Sequence, residues 1–318
     1  MRKSADAVEL GTYIPQEAFL ILALIPERFY RSQTRAKRSF EILTEIWTEA
    51  RCIVDERRDR GDVRDCIIDA MLDDEIQPDA PMDDQLVNNF VGSLQMATAD
   101  TTGHTLLTHI MYLAKHPHVQ QKARKELDLV CGTERLPCWT DFDQLPYINC
   151  IVKEGNRIHP NVPLAPPHTV TGDHWYDGML IPDGCWILVS PWALHYSGFK
   201  NPATYDPDRF QGHPRTAADY ASSHDYEGRD HHSYGSGRRI CAGIHLAERI
   251  QWRVVAAILW AFELRELEGE KIDVEAFSDG VVHEPMPFKV EFVPRSEKHA
   301  HVIYKELESA NLLLGKWA

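Results

Sequence analysis

The sequence predicts a mainly α protein with small β sheets, an α+β fold, and three observations predict it. Long stretches before residue 160 and after residue 242 space their apolar residues at about 3.6, the period of an amphipathic helix. From Val162 to Leu188, short apolar pieces alternate with Gly172, Gly178, Pro182 and Gly184, the pattern of hairpin strands. Pro287 to Pro294 alternates apolar and polar residues as a strand does. No internal repeat is visible, and 318 residues can bury a substantial core, so length allows one large domain or two modest ones.

Taken in order, Ala18–Ile25 is apolar but lies between Pro15 and Pro26 and is too short to span a membrane. Ala36–Arg60 reads as a helix with Phe40, Leu43, Ile46, Trp47, Ile53 and Val54 at helical spacing, ended by Gly61. Val63–Leu72 reads as a shorter helix, and the acidic stretch Asp73–Asp84, broken by Pro78 and Pro81, as a solvated loop. A long helix is expected over 84–115, with Leu86, Phe90, Leu94, Leu106, Ile110 and Leu113 marking buried faces. Its centre, Gln95–His104, is polar and crowded with alanine and threonine. That is a local conflict in a buried helix, and such conflicts gather at functional sites.

Pro117 suits the first turn of the next helix, which runs through Val119, Ala123, Leu127 and Val130. Leu145–Ile158 is a further helix, stopped by His159-Pro160. Pro202–Tyr234 lacks periodicity, and so long an irregular segment is expected to serve a site. A helix follows Ala242, where Leu246, Ile250, Val254 and Ile258 form an i, i+4 stripe and Glu248, Arg249, Gln251 and Arg253 take other faces. The tail, 296–318, is expected to hold a surface helix over His299–Leu314.

Composition narrows the function. The formal charge is −14, which speaks against a nucleic-acid partner, because a phosphate backbone binds concentrated positive charge. Seven cysteines form no CxxC pair and no periodic framework, so most read as small core residues in a reducing compartment. No glycine loop for a nucleotide is present.

The strongest signal is Tyr234-Gly-Ser-Gly-Arg-Arg-Ile-Cys241-Ala-Gly243. Glycines at 235, 237 and 243 permit tight turns and close approach to a flat group. Cys241 stands just before a strong helix, where amide donors and the positive helix end favour a thiolate. Read alone, the cysteine is a small buried residue before a helix.

With Tyr234, Gly237, Arg239, Cys241 and Gly243 at fixed offsets, the segment resembles the haem-binding loop of cytochromes P450, tyrosine standing where the family has phenylalanine. Glu154 and Arg157, three apart on one helix face, resemble the family's Glu-x-x-Arg pair, and Tyr205 to Phe210 its partner segment with Arg209 as third member. Buried guanidinium and carboxylate groups need their hydrogen bonds filled, so this set is structural. Ala97 to Thr102 resembles the oxygen-activation segment, in which Thr101 would bond bound oxygen or a water and Asp100 would orient a proton relay. Thr98 departs from the family's glycine, and its bulk is expected to narrow the oxygen cleft or to move the substrate. Trp192 to His195 and Arg229 to His231 resemble fungal members, with Arg229 and His231 expected to hold the cysteine loop or a propionate.

The resemblance implies a P450-like haem-thiolate fold as a single domain over 1–318, with a distal helix over 84–115, a meander and cysteine loop over 202–243, and haem b ligated by Cys241. It implies a monooxygenase that inserts one oxygen atom from O2 into a lipophilic small molecule, in fungal secondary metabolism. Electrons would come from NADPH through NADPH-cytochrome P450 reductase. Lys115, Lys122, Arg124, Lys125, Arg238 and Arg239 are candidates for its docking face. Leu94, Ala97, Val162, Leu164, Val281 and Val282 are the expected substrate-facing positions. Set on the family scheme, the chain is short before the distal helix. The expectations are therefore an incomplete N-terminus, a place on the cytoplasmic side of the endoplasmic reticulum if an anchor precedes it, and, as alternatives, a noncatalytic truncated haem-binding protein or inactive fragment or, more distantly, a zinc protein.

Overall fold

The computed structural model describes residues 32–315, so the Ala18–Ile25 stretch and the last residues of the tail lie outside the described residues. The chain divides into two compact units at Asp100/Thr101, and each is described by itself.

The first unit contains α1 (Ser32–Asp59), α2 (Ile67–Leu72) and the first half of α3 (Asp84–Lys115). Gly61 closes α1 in the left-handed region at φ 81°. The short helix starts later than the Val63 its pattern predicts, because the Asp69 carboxylate takes the Arg64 N–H at 2.8 Å and holds the preceding turn open. Asp69 also pairs with Arg57 at 2.6 Å and Arg58 at 2.7 Å. Burial opposes its ionisation, yet the two guanidinia hold the carboxyl well below the usual range. On α3, Leu86, Phe90 and Leu94 are exposed, contrary to expectation. The buried position there is Gly92, because a Cβ on it would overlap the Trp47 indole. Close helix approach needs the bare backbone.

In the second unit, α3 continues to Lys115 and is followed by α4 (Pro117–Val130), α5 (Pro146–Ile158), α6 (Pro191–Gly198), α7 (Ala217–Ser222), α8 (Ile244–Ala261) and α9 (Glu297–Leu314). The core gathers Met111, Leu113, Val119, Leu127, Ile148, Ile151, Trp252, Val255, Leu259 and Trp260. Burial on α8 differs from the expected stripe. Ile244, Glu248, Gln251, Trp252, Val255 and Leu259 are inside, while Leu246 is exposed. The helix is enclosed on more than one side, so apolar spacing alone misplaces its inner face.

Three two-stranded antiparallel sheets complete the unit: β1 (His168–Thr169) with β4 (Trp186–Ile187), β2 (His174–Tyr176) with β3 (Met179–Ile181), and β5 (Phe262–Glu266) with β6 (Val290–Pro294). Tyr176 faces Met179 across a two-residue turn whose Asp177 and Gly178 both have positive φ, as a type I′ hairpin requires. Gln120 joins α4 to β5, its amide donating to Leu113 and Leu264 carbonyls at 2.8 Å and accepting the Leu264 N–H at 3.0 Å. Among the described residues, no helix is long and apolar enough to cross a membrane.

Candidate functional site

The site is built outward from α5, a helix buried all round from Tyr147 to Ile158. Such a helix gains by finding partners for the polar side chains it carries. Arg157 donates to Glu154 through Nε at 2.6 Å and Nη2 at 2.9 Å, and its fork reaches the Pro202 carbonyl at 2.8 Å. Glu154 also accepts the Asp206 N–H at 2.7 Å and meets Arg209 Nε at 3.1 Å. Arg209 in turn donates to the Lys200 and Thr204 carbonyls, both at 2.9 Å. Glu154, Arg157 and Arg209 are thus one network that pins the segment after Lys200 to the helix. Burial raises the Glu154 pKa, against the pull of Arg157.

A second brace runs from α5 toward the cysteine. Lys153 and Asp230 form an ion pair with both side chains inside. Burial disfavours the Asp230 carboxylate, but His231 and Lys153 keep it below its ordinary range. His195 bridges two segments: Nδ1 lies 2.9 Å from the Arg157 carbonyl, and Nε2 accepts the His232 N–H at 2.8 Å. This pattern assigns a neutral ring with its proton on Nδ1, and burial holds it uncharged. Ser233 Oγ donates to the Asn156 carbonyl at 2.6 Å, and Asn156 Nδ2 donates to Gln251 at 2.7 Å. Arg229 spans the loop, reaching the His231 carbonyl at 3.0 Å and that of Gly235 at 2.6 Å.

The braced loop is Tyr234 to Gly243. Gly235 and Gly237 sit at φ 75° and 68°, where a side chain would be strained. The Cys241 N–H closes the loop onto the Tyr234 carbonyl at 2.9 Å. The Cys241 carbonyl accepts from Ile244 at 3.3 Å, so the cysteine enters the first turn of α8. Its residue is exposed, as are Gly237, Arg238, Arg239 and Gly243. The Tyr234 ring is tucked under the loop, and burial pushes its hydroxyl pKa far up, with Glu248 adding to the effect. Glu248 accepts the Ala217 N–H at 2.7 Å.

On α3, Asp100 is exposed and ends the first unit, and Thr101 opens the second, half-buried. The Thr101 carbonyl accepts from Thr105 Oγ1 at 2.9 Å and from Asn161 Nδ2 at 2.7 Å. Thr98, read as a bulk in the cleft, turns its hydroxyl back to the Leu94 carbonyl at 2.8 Å.

Of the expected basic docking residues, three have other work. Lys115 donates to the Ile272 carbonyl at 2.8 Å, Lys122 pairs with Asp208, and Arg124 binds Gln120 at 2.7 Å. Lys125, Arg238 and Arg239 stay exposed. Among the described residues no group of three or more His, Cys, Asp or Glu is arranged to hold a metal ion, so a zinc reading finds no ligand set there.

Sequence reasoning missed Lys153, Asn156, Asn161 and Gln251. A sequence signal existed for the first two: an unbroken polar run, Lys153 to Arg157 around Gly155, inside a helix with Ile148, Ile151 and Ile158 at its ends.

Comparisons with known proteins agree with this architecture. The family model for Cytochrome P450 matches residues 12–292. The chain is 38% identical to cytochrome P450 monooxygenase yanC of Aspergillus niger, over 96% of this chain and 60% of that protein. It is 37% identical to cytochrome P450 monooxygenase patI of Aspergillus clavatus, over 98% of this chain and 59% of that protein. A zebra fish cytochrome P450 solved with progesterone superposes with a TM-score of 0.67 at 25% identity, covering 86% of this chain and 60% of that one. The chain therefore spans about 60% of the length of the curated relatives it matches. With the cysteine loop, its Glu-x-x-Arg brace and this match in hand, the chain belongs to the cytochrome P450 family.

Proposed function

We propose that this chain carries the haem-thiolate site of a monooxygenase that inserts one oxygen atom from O2 into a lipophilic small molecule, in fungal secondary metabolism. The observation that carries the reading is the exposed Cys241 on a left-handed glycine loop held from beneath by a buried ionic scaffold. The residues fit haem b. A Cβ added at Gly235 or Gly237 would meet nothing within 4 Å, and one at Gly243 would lie 3.8 Å from the Cys241 sulphur, so the loop's outer face can take a flat macrocycle. Exposed Arg238 and Arg239 supply cations for its carboxylates.

Haem, when bound, supplies the redox centre that activates dioxygen. Cys241 would hold the iron through its thiolate, and the Cys241 N–H bond to Tyr234 would keep the sulphur aimed. Arg239 would hold a propionate. Thr101 would keep a water at its hydroxyl, and the exposed Asp100 would pass protons to it from solvent. Val162, Leu164, Val281 and Val282 would present apolar surface to the substrate. NADPH-cytochrome P450 reductase would deliver electrons at a face that includes Lys125 and Arg238. An endoplasmic-reticulum location rests on the resemblance alone.

The test is the reduced carbon-monoxide spectrum of the chain reconstituted with haem, beside that of Cys241→His. The wild type is expected to show the thiolate-type band and the variant an imidazole-type band. A wild type lacking the thiolate band, or a variant retaining it, overturns the assignment. Haem incorporation without product, in the presence of NADPH, reductase and a panel of lipophilic substrates, would favour a noncatalytic haem-binding role.

A further inference from the structure

In the second unit, Asn161, His104 and Glu284 are given no role in the scheme above, although they border residues that have one. Asn161 follows α5 and stands beside Val162. Its side chain donates to the Thr101 carbonyl at 2.7 Å, and its own carbonyl accepts the His283 N–H at 2.7 Å. One helical turn beyond Thr101, His104 Nε2 lies 3.0 Å from Glu284 Oε2. Thr101 and His104 are three apart and so share a face of α3.

The segment that carries His283 and Glu284 is closed on itself. Ser278 N–H donates to the Glu284 carbonyl at 2.9 Å, Glu284 N–H to Ser278 Oγ at 3.0 Å, and Met286 N–H to the Ala276 carbonyl at 2.9 Å. Val281 and Val282 form its tip. Phe277, at its base, stacks on the His159 ring with centroids 3.3 Å apart. The loop is thus tied to α3 directly at His104 and, through Asn161, at the Thr101 carbonyl, and two directional links resist both sliding along the helix and turning on it. Apolar contact between the valines and α3 would not achieve this, because such contact is non-directional.

We propose that Asn161 and Glu284 are positioning residues, which fix the spacing between the 276–286 loop and the Thr101–His104 turn of α3 and so set the width of the substrate cleft. This rests on the reading of Val281, Val282 and Thr101 given under the proposed function. Neither residue touches the substrate; they act through the loop and the helix.

The test uses the full chain as wild type, Asn161→Ala, Glu284→Ala and Glu284→Gln. Hydrogen exchange read by mass spectrometry, without haem, decides whether the clamp exists. Amides of 276–286 are expected to exchange about tenfold faster in both alanine variants, with 146–158 unchanged. Glu284→Gln is expected to restore protection, since its amide oxygen still accepts from His104. Unchanged exchange in 276–286, or equal acceleration throughout, overturns the clamp.

In the haem-loaded chain, 4-phenylimidazole reports the cleft and imidazole serves as the small control. The alanine variants are expected to bind the phenyl compound about tenfold more weakly, with imidazole affinity and the reduced carbon-monoxide band unchanged. Equal affinities for the phenyl compound overturn the positioning role. A wild-type chain that shows the exchange pattern but no thiolate band counts against the haem assignment and leaves the clamp standing.

Discussion

Glu248 is the titratable residue whose surroundings have most to say about pH. It lies inside α8, accepts the Ala217 N–H at 2.7 Å, and burial raises its pKa to about 7. A carboxyl raised in the folded state stabilises while protonated, so its contribution is complete below the ordinary value of 4.5 and is lost as pH rises through 7. Thermal melts are therefore expected to show a wild type that weakens between pH 5 and pH 8, and a Glu248→Gln variant that does not, the gap reaching at most about 3 kcal/mol at the alkaline end. Parallel curves for the two proteins would show that Glu248 ionises freely. Gly237 offers a purely conformational test. A Cβ there meets nothing, but φ is 68°, so Gly237→Ala is expected to cost about 1–2 kcal/mol by denaturant unfolding and to lower haem retention. A neutral result would mean that the loop readily takes another path.

Among the helices, the close crossing of α3 and α5 decides what each can carry. His109 is fully buried, burial lowers its pKa to about 4, and a Cβ on Gly155 would overlap its ring. Gly155→Ala is thus expected to destabilise by about 1–3 kcal/mol in urea titrations, whereas Gly103→Ala, with open space around it, would leave the midpoint unchanged or raise it. What was legible in the sequence follows instead from how far apart along the chain the partners lie. The loop from Tyr234 to Gly243 stood out because its chemistry-bearing residues lie within one short segment, and Glu154 and Arg157 because they share one turn. Lys153 and Asn156 did not stand out, since their partners Asp230 and Gln251 come from distant parts of the chain and a polar residue in a helix first reads as solvated. Leu86, Phe90 and Leu94 were misread for a related reason. Periodicity finds an apolar face, but Gly92 against Trp47 decides which face is covered.

Across the whole molecule, the net charge of −14 coexists with a few exposed cations near the cysteine loop, and the pairing of Lys115, Lys122 and Arg124 elsewhere leaves that positive surface small. The helical class and the small sheets were readable from the sequence, because they follow from local spacing and turn residues. The way α8 is enclosed was not, because burial on several sides erases a single stripe.

The Lys153–Asp230 pair joins positions 77 residues apart, and that span bears on the order in which the molecule assembles. Closing a long loop costs entropy before any contact rewards it, and two ions must shed water at the moment they meet. The meander is therefore expected to dock late in folding, and a sulphur aimed by it to be presented later still. Lys153→Met alone is expected to cost about 3–5 kcal/mol, because it leaves Asp230 buried without a counter-ion, while Lys153→Met with Asp230→Leu is expected to recover most of that and to refold faster in stopped-flow experiments. A double variant that refolds more slowly than the wild type would show that the ions guide the docking and do not delay it. If the docking is late, the chain must commit to its helical core well before it can capture its prosthetic group, and supply of that group during synthesis would raise yield without speeding the first collapse.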